Sequence, residues 1–495
     1  MSIWRTKSIE QSIRDTDEPG HRLRRDLNGL DLIVFGIGVI IGTGIFVVTG
    51  RQAAENAGPA IVVSFLAAGV VCALAAMCYA EFASTVPVAG SAYTFGYATL
   101  GEFIAWIIGW DLILEFTLAA SVVSVGWSEY AGDLLGLPTS VPVAGHPVNL
   151  GAMAVVLLLG VVGTLGAKLS GRVTAVVVAI KVGIVLFIIA VGAAYVNPAN
   201  WRPFVPPAAP APAGGTGAGD SPLTQILLGL DPTSFGLWGV IAAASVVFFS
   251  FIGFDIVATT AEETRNPKRD IPVGIFGSLL IVTVLYMAVA AVVTGMRPYP
   301  ELNVEAPLSE AFRSVDAGWA ATLISLGGVI GITTVILVLL MGQSRVAFAM
   351  SRDGLLPRAL SRTHPRFGTP YVTTLLTTGT VALLAGLVPI GTLEEMVNIG
   401  TLFAFVVVSV GVVVLRRTRP DLPRAFRVPW SPVLPLLAAL ACLWLMLNLT
   451  VLTWLRFAVW MVLGVAVYLL YGMRRSRLAV LPRQRTGEEG EGAVA

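Results

Sequence analysis

Five ionisable residues stand where an ionisable side chain is costly. Glu81, Asp111, Glu115, Lys181 and Asp255 each lie inside a long apolar run. A charge at the centre of a bilayer costs about 2.5–3.5 kcal/mol even on the mildest scales, so such residues mark paths for ions, protons or solutes. Lys181, in Ala179-Ile180-Lys181-Val182, is about eight residues from the inner edge of its run, roughly 12 Å at 1.5 Å per residue. That is too deep for easy snorkelling. Burial penalises the ammonium form, so this amine can alternate between charged and neutral states. Lys181 is therefore read as a proton-coupling residue; the blander alternative is a permanent ion pair with a carboxylate. Asp111 and Glu115, spaced i, i+4, share one helix face and cannot both stay charged cheaply without partners. Glu115 is the candidate for contact with a bound solute, against the alternative of a polar brace between helices. Asp255 could orient unwound backbone or cap the helix that follows it. Glu81 is read as a structural or gating contact, and Glu102, at the edge of its run, as solvated.

Other chemistry is sparse. His21, His146 and His364 fall in tails or loops, which leaves the lysine and the carboxylates as proton carriers. Cys72, Cys78 and Cys442 lie in apolar runs and read as small buried hydrophobes. No zinc, phosphate-loop or Ser-His-Asp pattern is evident, so no metal, cofactor or enzyme activity is expected.

Two apolar runs carry glycine where a helix would not choose it. The first reads Phe35-Gly36-Ile37-Gly38-Val39-Ile40-Ile41-Gly42-Thr43-Gly44-Ile45-Phe46, and the sixth Phe248-Phe249-Ser250-Phe251-Ile252-Gly253-Phe254-Asp255. Each Gly weakens a helix by about 1 kcal/mol against Ala. Close helix packing would explain a lone glycine; a pair of clusters heading two equivalent blocks points to interrupted helices around a midplane site. Unwound backbone at membrane depth is tolerated only where it lines a cavity. Amides at Gly42, Thr43 and Gly44 would open a new half-helix whose positive end suits a carboxylate. Carbonyls near Ile40, Phe249 and Ser250 would suit an ammonium group. One cavity offering both ends is complementary to an α-amino acid zwitterion. Gly253 and Asp255 are expected to support the second break.

These features need a membrane scaffold. Of 495 residues, 56% are hydrophobic and only 13% charged, against roughly 25% charged in soluble domains. A net charge of +2 gives no reason to expect nucleic acid. Apolar runs long enough for roughly 30 Å of hydrocarbon predict twelve spans: 31–54, 60–86, 102–130, 148–166, 173–196, 235–260, 271–295, 318–343, 371–388, 392–415, 431–450 and 453–472. The fold class is thus an all-α polytopic membrane protein. The inner segments of this arrangement hold 26 of the 32 Lys and Arg residues, the outer ones five, which places both termini in the cytoplasm. The organisation read is a tail over 1–30, a five-span block over 31–196 and an irregular outer linker over 197–234. A second, inverted block over 235–415 follows, then a loop over 416–430, two further spans within 431–472 and a tail over 473–495. The tail from Met1 lacks the apolar core of a signal peptide, and the acidic end, 487–495, reads as disordered.

Several stretches carry a resemblance. They are the glycine motif 36–46; Gly109-Trp110-Asp111-Leu112-Ile113-Leu114-Glu115; Phe251 to Asp255 with Glu262-Glu263 and Asn266-Pro267; Met350-Ser351-Arg352-Asp353-Gly354-Leu355-Leu356-Pro357; His364-Pro365 with Phe367-Gly368-Thr369-Pro370; Asn398 to Leu402; and the segment 416–429. Across nearly its whole length the chain resembles the amino acid–polyamine–organocation superfamily, specifically bacterial members of the cationic amino acid transporter family. The resemblance implies a LeuT-type fold of ten core helices in a 5+5 inverted repeat, helices 1 and 6 discontinuous, with two extra helices. It implies sodium-independent, proton-linked amino acid uptake at the cell membrane, with Lys181 replacing a sodium ion. Substrate contacts carry over to Ile40, Thr43, Gly44, Glu115, Phe249, Ser250 and Ile252, with Ile41 and Gly42 at the same break also expected to bind substrate, and a helix 8 position tuning cationic against neutral specificity falls near Ile332 or Thr333. The expected partners are an α-amino acid, protons and lipid; a small single-span accessory subunit is left open. Exchange without proton coupling, and amino acid sensing without transport, remain the rival readings.

Overall fold

The computed structural model describes residues 27–85, 91–166, 171–210, 218–231, 233–258, 260, 264–422, 424 and 426–477. The expectations for 1–26 and 478–495 of the tails, for Lys168 and for Glu262 and Glu263 lie outside these residues. The described chain is helical, apart from short two-stranded pairings such as Val141–Val143 with His146–Val148. Among the described residues, eight helices are long and apolar enough to cross a membrane, and four shorter apolar ones, Gly29–Ile40, Leu150–Thr164, Tyr371–Leu387 and Val433–Leu447, fall where further spans were expected. The chain is a polytopic helical membrane protein.

Burial sorts the helices into inner and outer ones. The third span, Glu102–Leu135, has 72% of its apolar window buried; the last, Val451–Arg475, has 22%. The third packs along the eighth, Gly318–Arg352, and the tenth, Ile390–Thr418. The seventh, Pro267–Met296, packs along the first and second. Leu158, Leu280, Leu376 and Val462 point outward and are exposed, as side chains against lipid would be.

Small residues permit the tight contacts. A Cβ on Gly36 would lie 2.7 Å from the Ser278 Cβ, and one on Gly274 would collide with Leu32, so the first and seventh spans meet almost backbone to backbone. Asn28 opens the first span by accepting from the backbone N–H groups of Leu30 and Asp31, while Asp31 accepts from the Asn28 N–H, a capping box.

Three expectations are corrected here. The linker 197–234 is not wholly irregular: it contains the turn Pro198–Trp201, the helix Leu223–Leu227 and a strand pairing of Ala209–Pro210 with Thr233–Ser234. A helix, Ser91–Thr99, stands between the second and third spans where none was expected. Glu102 is not solvated but 1% exposed, and accepts from Tyr468 at 3.0 Å and Ser476 at 2.5 Å. Its place at the start of an apolar run did not reveal that the chain's last described residues fold back over it.

Candidate binding site at two broken helices

The first span is broken where the glycines predicted. The helix Gly29–Ile40 ends at Ile41, whose ψ of 102° is extended, and helical geometry resumes at Thr43 and Gly44. Gly44–Val48 and Ala53–Ala57 continue with a wider π-type turn. The sixth span breaks in a different way. The helix Gly236–Val247 tightens into a 3-10 turn at Phe248–Phe251, Ile252 is extended, and Gly253 has a φ of +121° before the helix Phe254–Ala258. Gly253 is required twice over. Its φ is strained for any side chain, and a Cβ there would lie 2.7 Å from Val39 Cγ1. The Gly253 N–H donates to Asp255 Oδ1 at 3.2 Å, so Asp255 holds the turn into the inner half-helix.

The two breaks touch. The Cα of Ser250 occupies the space that a Cβ on Gly44 would need. Around this contact lies a small cavity of about 20 Å³, room for about one water, walled by Val39, Ile40, Gly42, Thr43, Gly44, Ala119, Val123, Phe249, Ser250, Ile252, Val335 and Leu339.

Two kinds of backbone group end here. At the start of the outer half-helix no side chain caps the amides: the Thr43 hydroxyl is instead paired with the Val123 carbonyl at 3.3 Å. Such an end carries free N–H groups and a partial positive charge. At the end of the inner half-helix the last carbonyls have lost their helical donors, and side chains replace them. Lys181 Nζ donates to Gly38 at 2.5 Å and to Ile41 at 3.1 Å, and the Tyr286 hydroxyl donates to Ile40 at 2.8 Å. Lys181 is 1% exposed, and no acidic side chain among the described residues bridges to it within salt-bridge distance, so a permanent ion pair is not what holds it. Nothing in the sequence reading anticipated Tyr286; a lone aromatic in an apolar run gives no signal of direction.

The expected site residues therefore divide. Ile40, Gly42, Thr43, Gly44, Phe249, Ser250 and Ile252 come together around one cavity. Ile41 does not wall it and turns its carbonyl to Lys181. Thr333 does not wall it either: it accepts from Trp127 Nε1 at 2.9 Å. The eighth span lines the cavity with Val335 and Leu339, a correction to the register of Thr333. Glu115 is off the wall but not remote. It stands one turn before Ala119 and two before Val123, on the same face of the third span. Glu115 Oε1 and both Asp111 carboxylate oxygens are buried with no hydrogen-bond partner among the described residues. Ser250 Oγ is likewise buried and unpartnered, at the cavity wall.

Glu81 is away from the cavity and structural in its contacts. Both its oxygens accept from Arg416, at 2.8 and 2.5 Å, and Oε2 also accepts from the Val428 N–H at 2.7 Å. The inner end of the second span is thereby tied to the tenth span and the loop after it.

Comparison with known proteins identifies what the geometry belongs to. Residues 27–469 match the family described as amino acid permease. The chain is 48% identical to the branched-chain amino acid permease BcaP of Bacillus subtilis, over 96% of this chain and 99% of that protein. It is 45% identical to the methylthioribose transporter of the same organism, with the same coverage. It is 37% identical to the vacuolar cationic amino acid transporter 4 of Arabidopsis thaliana, over 85% of this chain and 68% of the relative.

Proposed function

This chain belongs to the amino acid permease family, and we propose that it imports α-amino acids with an apolar side chain, coupled to protons and independent of sodium. One observation carries this reading: Thr43 and Gly44, at the uncapped start of the outer half-helix, and Ile40, at the end of the inner one, line a single cavity. A zwitterion answers both, its carboxylate at the positive half-helix end and its ammonium at the carbonyls. The rest of the wall is Val39, Ala119, Val123, Phe249, Ile252, Val335 and Leu339, which suits an aliphatic side chain. A relative named for branched-chain amino acids supports the same choice. No Asp or Glu lies in the wall to receive a cationic side chain, so the cationic reading is the weaker one.

Lys181 supplies the coupling in this proposal. As an ammonium it bridges Gly38 and Ile41, holding the end of the inner half-helix as a sodium ion would. On losing its proton it keeps two N–H donors but loses the charge that strengthens both bonds, and the half-helix is held less firmly. The blocks 31–196 and 235–415 act as inverted repeats that rock about the site, with both termini in the cytoplasm of a cell whose plasma membrane holds the protein.

The test is uptake of labelled leucine into proteoliposomes of the purified protein, without sodium, under an inward proton gradient. Accumulation above equilibrium is expected, and its loss in Lys181→Ala. Concentrative uptake by Lys181→Ala equal to wild type rejects the coupling; counterflow without any response to the gradient marks an exchanger. The methylthioribose-transporting relative favours a second reading, a neutral thiosugar as substrate. Competition decides it: methylthioribose abolishing leucine uptake at lower concentration than unlabelled leucine would displace the amino acid reading.

A further inference from the structure

The carbonyl of Ile40 is held by one side chain, and that side chain reaches it from outside the cavity. Tyr286, on the seventh span, is fully buried, and its hydroxyl donates to the Ile40 oxygen at 2.8 Å. It is not part of the cavity wall, whereas Ile40 is. Its ring lies 5.5 Å from that of Phe251, in the break of the sixth span, and 5.5 Å from that of Phe65, on the second span. The hydroxyl is thus fixed by aromatic packing against one break while bonded to a carbonyl of the other.

We infer that Tyr286 is a positioning residue for amine recognition: by occupying one lone pair of the Ile40 carbonyl, it aims the other into the cavity. A carbonyl oxygen accepts two hydrogen bonds near the plane of its substituents. At the frayed end of a half-helix such a group would otherwise swing, and ordering it on binding would cost affinity. A bond already donated to it also polarises the oxygen, strengthening what it accepts next. Lys181 does the corresponding work for Gly38 and Ile41, which leaves Ile40 as the acceptor that Tyr286 prepares. This inference rests on the proposal that the substrate is an α-amino acid with its ammonium at the first break.

The experiment compares leucine with isocaproate, which keeps the carboxylate and the side chain and lacks the amine. Both are measured as inhibitors of labelled leucine exchange in proteoliposomes, for wild type and Tyr286→Phe. The substitution preserves the ring contacts and removes only the hydroxyl. Leucine affinity is expected to fall about 5- to 10-fold, the worth of one hydrogen bond, with isocaproate affinity unchanged. An equal loss for both compounds, or none for either, overturns the inference. The underlying reading is tested separately by wild type alone, which must prefer leucine to isocaproate. A wild type without that preference removes the ammonium from the site and the inference with it.

Discussion

Gly44 and Ser250 meet at the crossing of the two broken helices, with the backbone of Ser250 filling the position that any side chain on Gly44 would take. The contact joins the uncapped start of one half-helix to the tightened turn of the other. Backbone cannot yield as a flexible side chain can, so the geometry of the cavity depends on residue 44 being glycine.

A paired substitution tests this. Gly44→Ala should leave little or no leucine uptake per molecule of protein in the membrane. Gly42→Ala should retain a substantial part of it, because a Cβ there would meet Val335 at 3.5 Å, an ordinary contact. Equal activities for the two variants would mean that the crossing opens more freely than its packing implies.

Lys181 leads to a prediction about stability as well as coupling. Lys181→Met removes the donor from two buried carbonyls, and each unsatisfied group costs about 1–3 kcal/mol. The detergent-solubilised variant should unfold at a lower temperature than wild type. Gly331→Ala should weaken gradient-driven accumulation without touching the amine, since its Cβ would lie 3.0 Å from Lys181 Cγ and would displace the stem. Thermal unfolding of both variants and accumulation ratios of the second provide the check.

The Glu81–Arg416 pair separates a structural role from a gating one. Arg416 has one face to solvent, its side chain being 24% exposed, but Glu81 is 2% exposed. Breaking one partner of such a pair costs about 3 kcal/mol, toward the low end for buried pairs. Glu81→Ala should lower the yield and thermal midpoint while leaving the KM for leucine within about 2-fold for the surviving protein, a shift of under 0.5 kcal/mol. A changed KM at unchanged stability would instead make this pair a gate.

Leu339 sets the depth of the apolar wall in this reading. Leu339→Ala should raise the affinity for phenylalanine relative to leucine, since removing a buried leucine side chain leaves a cavity that a larger ligand fills. Inhibition constants for the two amino acids against labelled leucine measure the ratio, and an unchanged ratio would take Leu339 out of the specificity wall.

Much of this site was legible in the sequence because its determinants are local. Gly42, Gly44 and Gly253 announce breaks because helix propensity is a property of the residue itself. A lysine deep in an apolar run announces buried partners, here the Gly38 and Ile41 carbonyls, because charge in hydrocarbon must be compensated. What failed was direction. In a soluble helix one polar and one apolar face reveal which side packs, but in a membrane lipid is as apolar as the core. Nothing therefore told Thr333 from Val335 as the residue facing the cavity, nor showed that the Tyr286 hydroxyl turns toward Ile40. Glu102 was misread for a related reason: its cover, Tyr468 and Ser476, lies more than 360 residues away along the chain.

The sequence by itself determined a polytopic helical membrane chain, the two places where helices break, and the residue types available to bind charge, because apolar length, glycine and buried charge act through local free energies. Only the tertiary structure decided that the breaks touch at Gly44 and Ser250, and that Lys181 holds the Gly38 and Ile41 carbonyls while Tyr286 holds that of Ile40. It also decided that Glu115 stands one turn off the wall. Those outcomes depend on how each helix is rotated and slid against its neighbours, and close packing between apolar surfaces settles that rotation without leaving a pattern in the chain.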